Sequence, residues 1–108
     1  MLRFDHFNFN VLDLDRSLDF YREALELTPV AERNAGDGPF KLVYLGDGET
    51  GFRLELTWLR DRRSPYDLGE QEFHLAFVTD RFDELLEDRK STRLNSSHQW
   101  KSRMPSSA

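Results

Sequence analysis

Residues 6–27 read HFNFNVLDLDRSLDFYREALEL, and the hydrophobic period changes inside this stretch. From Phe7 to Val11 apolar and polar residues alternate. Phe7, Phe9 and Val11 fall on one face and His6, Asn8 and Asn10 on the other, the period-two signature of a half-buried strand. Beyond Leu12 the period lengthens. Leu14, Leu18, Tyr21 and Leu25 recur at spacings of four, three and four, on one face of an amphipathic helix. Asp13 and Asp15 offer carboxylates to the first free amides of that helix, and Pro29 is expected to end it.

The rest of the chain is read outward from this strand and helix. Val30 to Arg33 is expected to form a short edge strand before the turn residues Gly36, Asp37, Gly38 and Pro39. Phe40–Leu45 is a predicted strand, residues 46–51 (GDGETG) a hairpin connection, and Phe52–Trp58 the returning strand. In that strand Phe52, Leu54, Leu56 and Trp58 alternate with Arg53, Glu55 and Thr57. A linker over residues 60–69 leads to a predicted strand, Glu72–Thr79, with His74 between Phe73 and Leu75. Asp80 is a candidate cap for a second helix carrying Phe82, Leu85 and Leu86. The order is strand, helix, three strands, linker, strand, helix. This is an α+β arrangement: a βαβββ module at residues 3–59, then the strand and helix of a truncated second copy at 71–87. Unpaired sheet edges and exposed apolar faces are expected in such a fragment.

Composition narrows the function classes. At 108 residues the chain is at most one modest domain, and nine Phe among 13% aromatics supply a core. With no cysteine, disulfide frameworks, thiolate zinc sites and cysteine nucleophiles are excluded. Apolar runs are only a few residues long, so a soluble, cytoplasmic protein with no membrane partner is expected. The net charge of −5 repels phosphate backbones, and no nucleic-acid partner is expected. Charge is uneven, however. Residues 88–108 hold five basic groups and one acid, leaving ten basic and nineteen acidic groups, net −9, in residues 1–87. The same 21 residues contain six of the eight serines and lose every hydrophobic period. Their runs DRKSTRLNSSH and SRMPSSA resemble a translated sequencing adapter, so 88–108 is expected to be a non-native tail behind a partial domain at 1–87.

Chemistry rests on a few polar residues. His6 and His74 are the histidines outside the tail, each on a predicted strand, and Glu55 lies on the polar side of a third. Singly, each is ordinarily a solvated or locally satisfied side chain. If the three polar faces turn inward, however, two imidazoles and a carboxylate converge, and an open divalent-metal site satisfies their lone pairs. Period alone leaves both readings open. Phe20, Tyr21, Phe40, Phe73 and Phe77 are expected in the core. The run Gly46-Asp47-Gly48 is a turn, too short for a phosphate loop, and Arg60, Arg62 and Arg63 belong to a solvated loop.

The run at 6–27, with YLGDGETGFRLELTWL at 44–59, PYDLG at 65–69 and EFHLAFVTD at 72–80, resembles the vicinal oxygen chelate superfamily, most closely its bacterial glyoxalase I (lactoylglutathione lyase) branch. The resemblance covers residues 3–87 in the family order. It implies paired βαβββ modules around one divalent metal ion (nickel, zinc or cobalt), with His6, Glu55 and His74 matching the first three ligands. The fourth, a glutamate on the last strand of the second module, has no counterpart here. The implied reaction is isomerisation of the hemithioacetal of methylglyoxal and a thiol to the S-lactoyl thiol, a step in methylglyoxal detoxification, in a homodimer. Glu55 would share the proton transfer. Asn10, a candidate substrate contact, stands where many relatives carry an arginine for glutathione, and Leu59 where many carry asparagine, which leaves the thiol open. The same fold also carries metal-free antibiotic-binding proteins and extradiol-type dioxygenases, the alternatives to a lyase.

Overall fold

The structure, a computed structural model, describes residues 1–34 and 38–92, the side chains of 88–92 excepted. Most of the expected non-native tail and part of the turn at Gly36–Asp37 lie outside the described residues. The chain divides into two compact units, Met1–Tyr66 and the residues from Asp67 onward.

The first unit is the βαβββ module. Strand β1 (His6–Val11) leads into helix α1 (Leu14–Leu25), followed by β2 (Thr28–Asn34), β3 (Phe40–Gly46) and β4 (Arg53–Leu59). The sheet order is β1-β4-β3-β2. α1 therefore carries the chain across the sheet to its far edge, and the antiparallel run β2-β3-β4 brings it back beside β1, to which β4 is parallel. This return path puts His6 and Glu55, 49 positions apart in the sequence, on neighbouring strands.

One face of the sheet is the core. Val43 and Leu45 of β3 and Leu54 and Leu56 of β4 are buried, together with Tyr21 and Ala24 of α1 and Leu27 just after it. The alternation in β4 and the helical period of α1 thus take the faces expected of them. Asp13 caps α1, its carboxylate accepting the Arg16 amide at 3.1 Å. The helix stops earlier than Pro29 implied. Glu26 adopts the left-handed conformation (φ 58°), and the Glu26 and Leu27 amides close onto Arg22 and Tyr21 carbonyls, both at 3.1 Å. Pro29 instead sits in β2, an edge strand, beside the register shift between Pro29 and Ala31, where a missing amide is tolerated. The β3–β4 connection is an Asx-type turn: Asp47 Oδ1 accepts the Glu49 and Thr50 amides at 2.9 and 2.8 Å, and Gly48 takes φ 80°.

The second unit departs from expectation at its strand. Residues 72–79 form no ladder among the described residues, and a strand exists only through the partner that satisfies its amides and carbonyls. Helix α2 (Phe82–Thr92) is present, with Asp83 and Glu84 in its first turn, where negative charge meets the helix dipole. The expected core aromatics are divided. Tyr21 is buried and Phe20 half-buried, but Phe40, Phe73 and Phe77 are exposed, as are Phe82 and Leu86. Phe40 opens its strand, and Phe73 and Phe77 lie in the segment without a ladder. No described helix is long and apolar enough to cross a membrane.

Candidate metal centre

The candidate site lies on the sheet face opposite α1. Parallel pairing of β1 with β4 sets His6 beside Arg53, Asn8 beside Glu55 and Asn10 beside Thr57, and antiparallel pairing of β3 adds Tyr44 opposite Glu55. Partners in register share a face, so the polar parity of β1 and of β4 meets on one surface.

His6 and Glu55 are brought together. His6 Nε2 stands 3.9 Å from Glu55 Oε1, with the Glu55 side chain 13% exposed and that of His6 37%. With metal–donor distances of roughly 2.0–2.2 Å, two ligands of a tetrahedral ion stand about 3.4 Å apart, so this pair reaches a shared cation by closing about half an ångström. The donors also have the right chemistry: a neutral imidazole nitrogen and a carboxylate are the ligands that borderline divalent ions prefer. Among the described residues no group of three or more His, Asp or Glu side chains is already gathered as a cage. His74 belongs to the second unit, exposed in the stretch without a ladder.

Around the pair lies a polar network that periodicity did not single out. Asp5 Oδ2 is 2.6 Å from His6 Nδ1 and 3.1 Å from Arg53 Nη2. These two hydrogen bonds, His6 first and Arg53 second, hold the Asp5 carboxyl below the usual aspartate range. The Arg53 guanidinium stacks 4.7 Å from the Tyr44 ring centre, and the His6 ring meets the same tyrosine edge-on at 5.5 Å. A hydrogen bond with Glu55 raises the Tyr44 phenol above its usual range. Asn8, with its amide turned toward Glu55, donates to Glu55 Oε1 at 3.0 Å and lies 2.5 Å from Thr57 Oγ1. Asn10 is exposed on the same face, one pair of strand positions along from Asn8. The signal for Asp5 was its position next to His6; Tyr44 and Arg53 required the register.

The arginine-rich loop is braced from within. Arg60 pairs with Asp61 at 3.0 Å, Arg63 donates to the Arg60 carbonyl at 2.7 Å, and Arg62 donates to the Ser64 and Pro65 carbonyls while stacking 4.1 Å from the Tyr66 ring centre. This is the solvated loop expected of it.

Residues 3–94 match the family described as Glyoxalase/Bleomycin resistance protein/Dioxygenase superfamily. The chain belongs to this superfamily. Among curated superfamily members, a lactoylglutathione lyase of Arabidopsis thaliana is 32% identical over 88 residues, covering 80% of this chain and 31% of its own length. The lactoylglutathione lyase of Neisseria meningitidis is 31% identical over 83 residues, covering 73% of this chain and 58% of its own length. The chain thus spans between about a third and three-fifths of these relatives. Among solved structures, the trypanothione-dependent glyoxalase I of Leishmania major superposes with a TM-score of 0.73 at 29% identity, over 85% of this chain and 67% of that one. A glyoxalase I mutant from Zea mays gives a TM-score of 0.72 at 32% identity, over 82% of this chain and 32% of that one. The α+β glyoxalase-like fold expected from the sequence is the fold these likenesses share.

Proposed function

We propose that this chain carries part of the active site of a metal-dependent glyoxalase I-type lyase, which isomerises the hemithioacetal of methylglyoxal and a thiol to the S-lactoyl thiol. The observation that carries this reading is the approach of His6 Nε2 to Glu55 Oε1 at 3.9 Å on the polar face of two neighbouring strands. Relatives named lactoylglutathione lyase support it. His6, Glu55 and His74 are the residues that would hold one divalent cation, nickel, zinc or cobalt. When bound, that ion supplies Lewis-acid stabilisation of the negative charge that develops on the two vicinal oxygens of the substrate.

The chain's own part is positioning and proton transfer. The reaction moves hydrogen between adjacent carbons and is redox-neutral: a C–H bond breaks at the hemithioacetal carbon and another forms at the neighbouring carbon. A carboxylate within reach of both carbons serves this transfer, taking the proton and returning it. Glu55 is suited to share this work because it is nearly buried and is steadied by Asn8 and Tyr44. Asn10, exposed on the same face, would hydrogen-bond the substrate. A homodimer in the cytoplasm completes the reading, with the second subunit or further chain supplying the remaining wall.

The test is equilibrium dialysis of the chain against nickel, cobalt or zinc near neutral pH, with the conversion of hemithioacetal followed by absorbance. One ion per chain is expected, with binding lost in His6→Ala and in Glu55→Ala. Absence of binding by the unaltered chain would end the proposal.

A further inference from the structure

We propose that Asp5 is a positioning residue for His6: anchored by Arg53, its carboxylate holds the Nδ1–H of the imidazole, so that the lone pair of Nε2 faces Glu55. The inference rests on the metal-site reading above and names the device that prepares one ligand.

Three observations lead to it. A histidine that ligates through Nε2 must carry its proton on Nδ1, and a carboxylate beside an arginine accepts hydrogen bonds without donating them. Asp5 Oδ2 sits 2.6 Å from Nδ1, and the other ring nitrogen is the one that faces Glu55 Oε1. Asp5 is itself fixed twice to one neighbour, because the Arg53 amide donates to the Asp5 carbonyl at 3.0 Å and the Arg53 guanidinium to its carboxylate at 3.1 Å. Arg53 is in turn the register partner of His6, and its guanidinium covers the Tyr44 ring against which the imidazole packs edge-on. The imidazole is therefore held at Nδ1 by a hydrogen bond and along its edge by an aromatic ring. Both supports are chained to Arg53.

As a surface ion pair this cluster contributes little, since His6 and Asp5 keep 37% and 48% of their side chains exposed. Its effect lies in orientation. Outer carboxylates that accept the second N–H of a ligating histidine fix its tautomer and raise its basicity, and their loss typically weakens metal binding about 10- to 100-fold.

The experiment has two arms. In the first, the protonated nitrogen of His6 is identified by long-range proton–nitrogen NMR on the metal-free chain, roughly two units above the ordinary imidazole pKa. Protonation on Nδ1 is expected in the unaltered chain, moving toward Nε2 in Asp5→Leu. In the second, zinc affinity is measured by competition with a chromophoric chelator. Asp5→Leu is expected to bind about 10- to 100-fold more weakly, Asp5→Asn, which keeps an acceptor, to recover most of the loss, and Arg53→Leu to weaken binding in the same direction by less. Proton on Nε2 in the unaltered chain overturns the inference, and this reading needs no variant. Zinc binding by Asp5→Leu within twofold of the unaltered chain overturns it too, while leaving the metal site intact. If the unaltered chain binds no zinc, the metal-site reading fails, and the NMR arm still decides whether Asp5 directs the imidazole.

Discussion

Replacing Leu56 by alanine tests how the sheet holds the candidate site in place. Leu56 is 0% exposed, on the central strand β4, with Phe9 of β1 and Val43 of β3 as its register partners. The substitution removes three carbon atoms, worth about 0.8 kcal/mol each in transfer free energy. A void adds to that loss because its walls relax only in part. β4 is hydrogen-bonded to a strand on each side, so it cannot shift to close the gap without breaking a ladder. The expected loss of stability is therefore about 3–4 kcal/mol, a large share of the roughly 5–15 kcal/mol of an ordinary domain. Leu59, at the end of the same strand and 37% exposed, provides the internal control: alanine there should cost about 1 kcal/mol. Urea unfolding followed by far-ultraviolet circular dichroism and by tryptophan fluorescence measures both. If the two variants lose equal stability, or Leu56→Ala loses less than about 1.5 kcal/mol, the core does not sit where the burial pattern puts it.

Other outcomes follow from single residues. Glu26 holds a left-handed conformation that suits glycine, so Glu26→Gly should raise the unfolding midpoint, by about 0.5–1 kcal/mol in stability. Asp13→Ala removes the acceptor of the Arg16 amide and should cost about 1 kcal/mol, read as lower thermal stability and reduced helix signal. The Thr50 and Glu49 amides lower the Asp47 carboxyl pKa in the folded state, so the turn's contribution is complete above the usual aspartate range and is lost as pH falls through the lowered value. Acid titration of stability should therefore be flatter in Asp47→Ala than in the parent. Tyr44 has the opposite sign: its raised folded pKa gives a contribution present below the usual phenol value and lost as pH rises through the folded one. In Glu55→Gln the Tyr44 phenol should titrate closer to its ordinary range, as seen by ultraviolet absorbance.

The local elements were legible because each residue carries its own period or cap. The alternation of Leu54 and Leu56 with Glu55 and Thr57, the four-three-four spacing through Tyr21, and the carboxylates at Asp13 and Asp47 depend on neighbours a few residues away. Which strands lie side by side depends on the path of the chain. That β1 runs parallel to β4 places Asn8 against Glu55 and Arg53 against His6, and no period within either strand encodes that pairing. Pro29 was read as a helix stop, whereas the left-handed Glu26 had already turned the chain, because a closing hydrogen bond three residues earlier leaves no helix for the proline to break. Composition and periodicity therefore settled which residues are polar and which of β4 and α1 face the core, but not the exposure of Phe40, Phe73 and Phe77. The polar network around His6, from Asp5 through Arg53 to Tyr44, came into being only with the register, since hydrogen bonds act over about 3 Å and the sequence separates these groups by up to 48 positions.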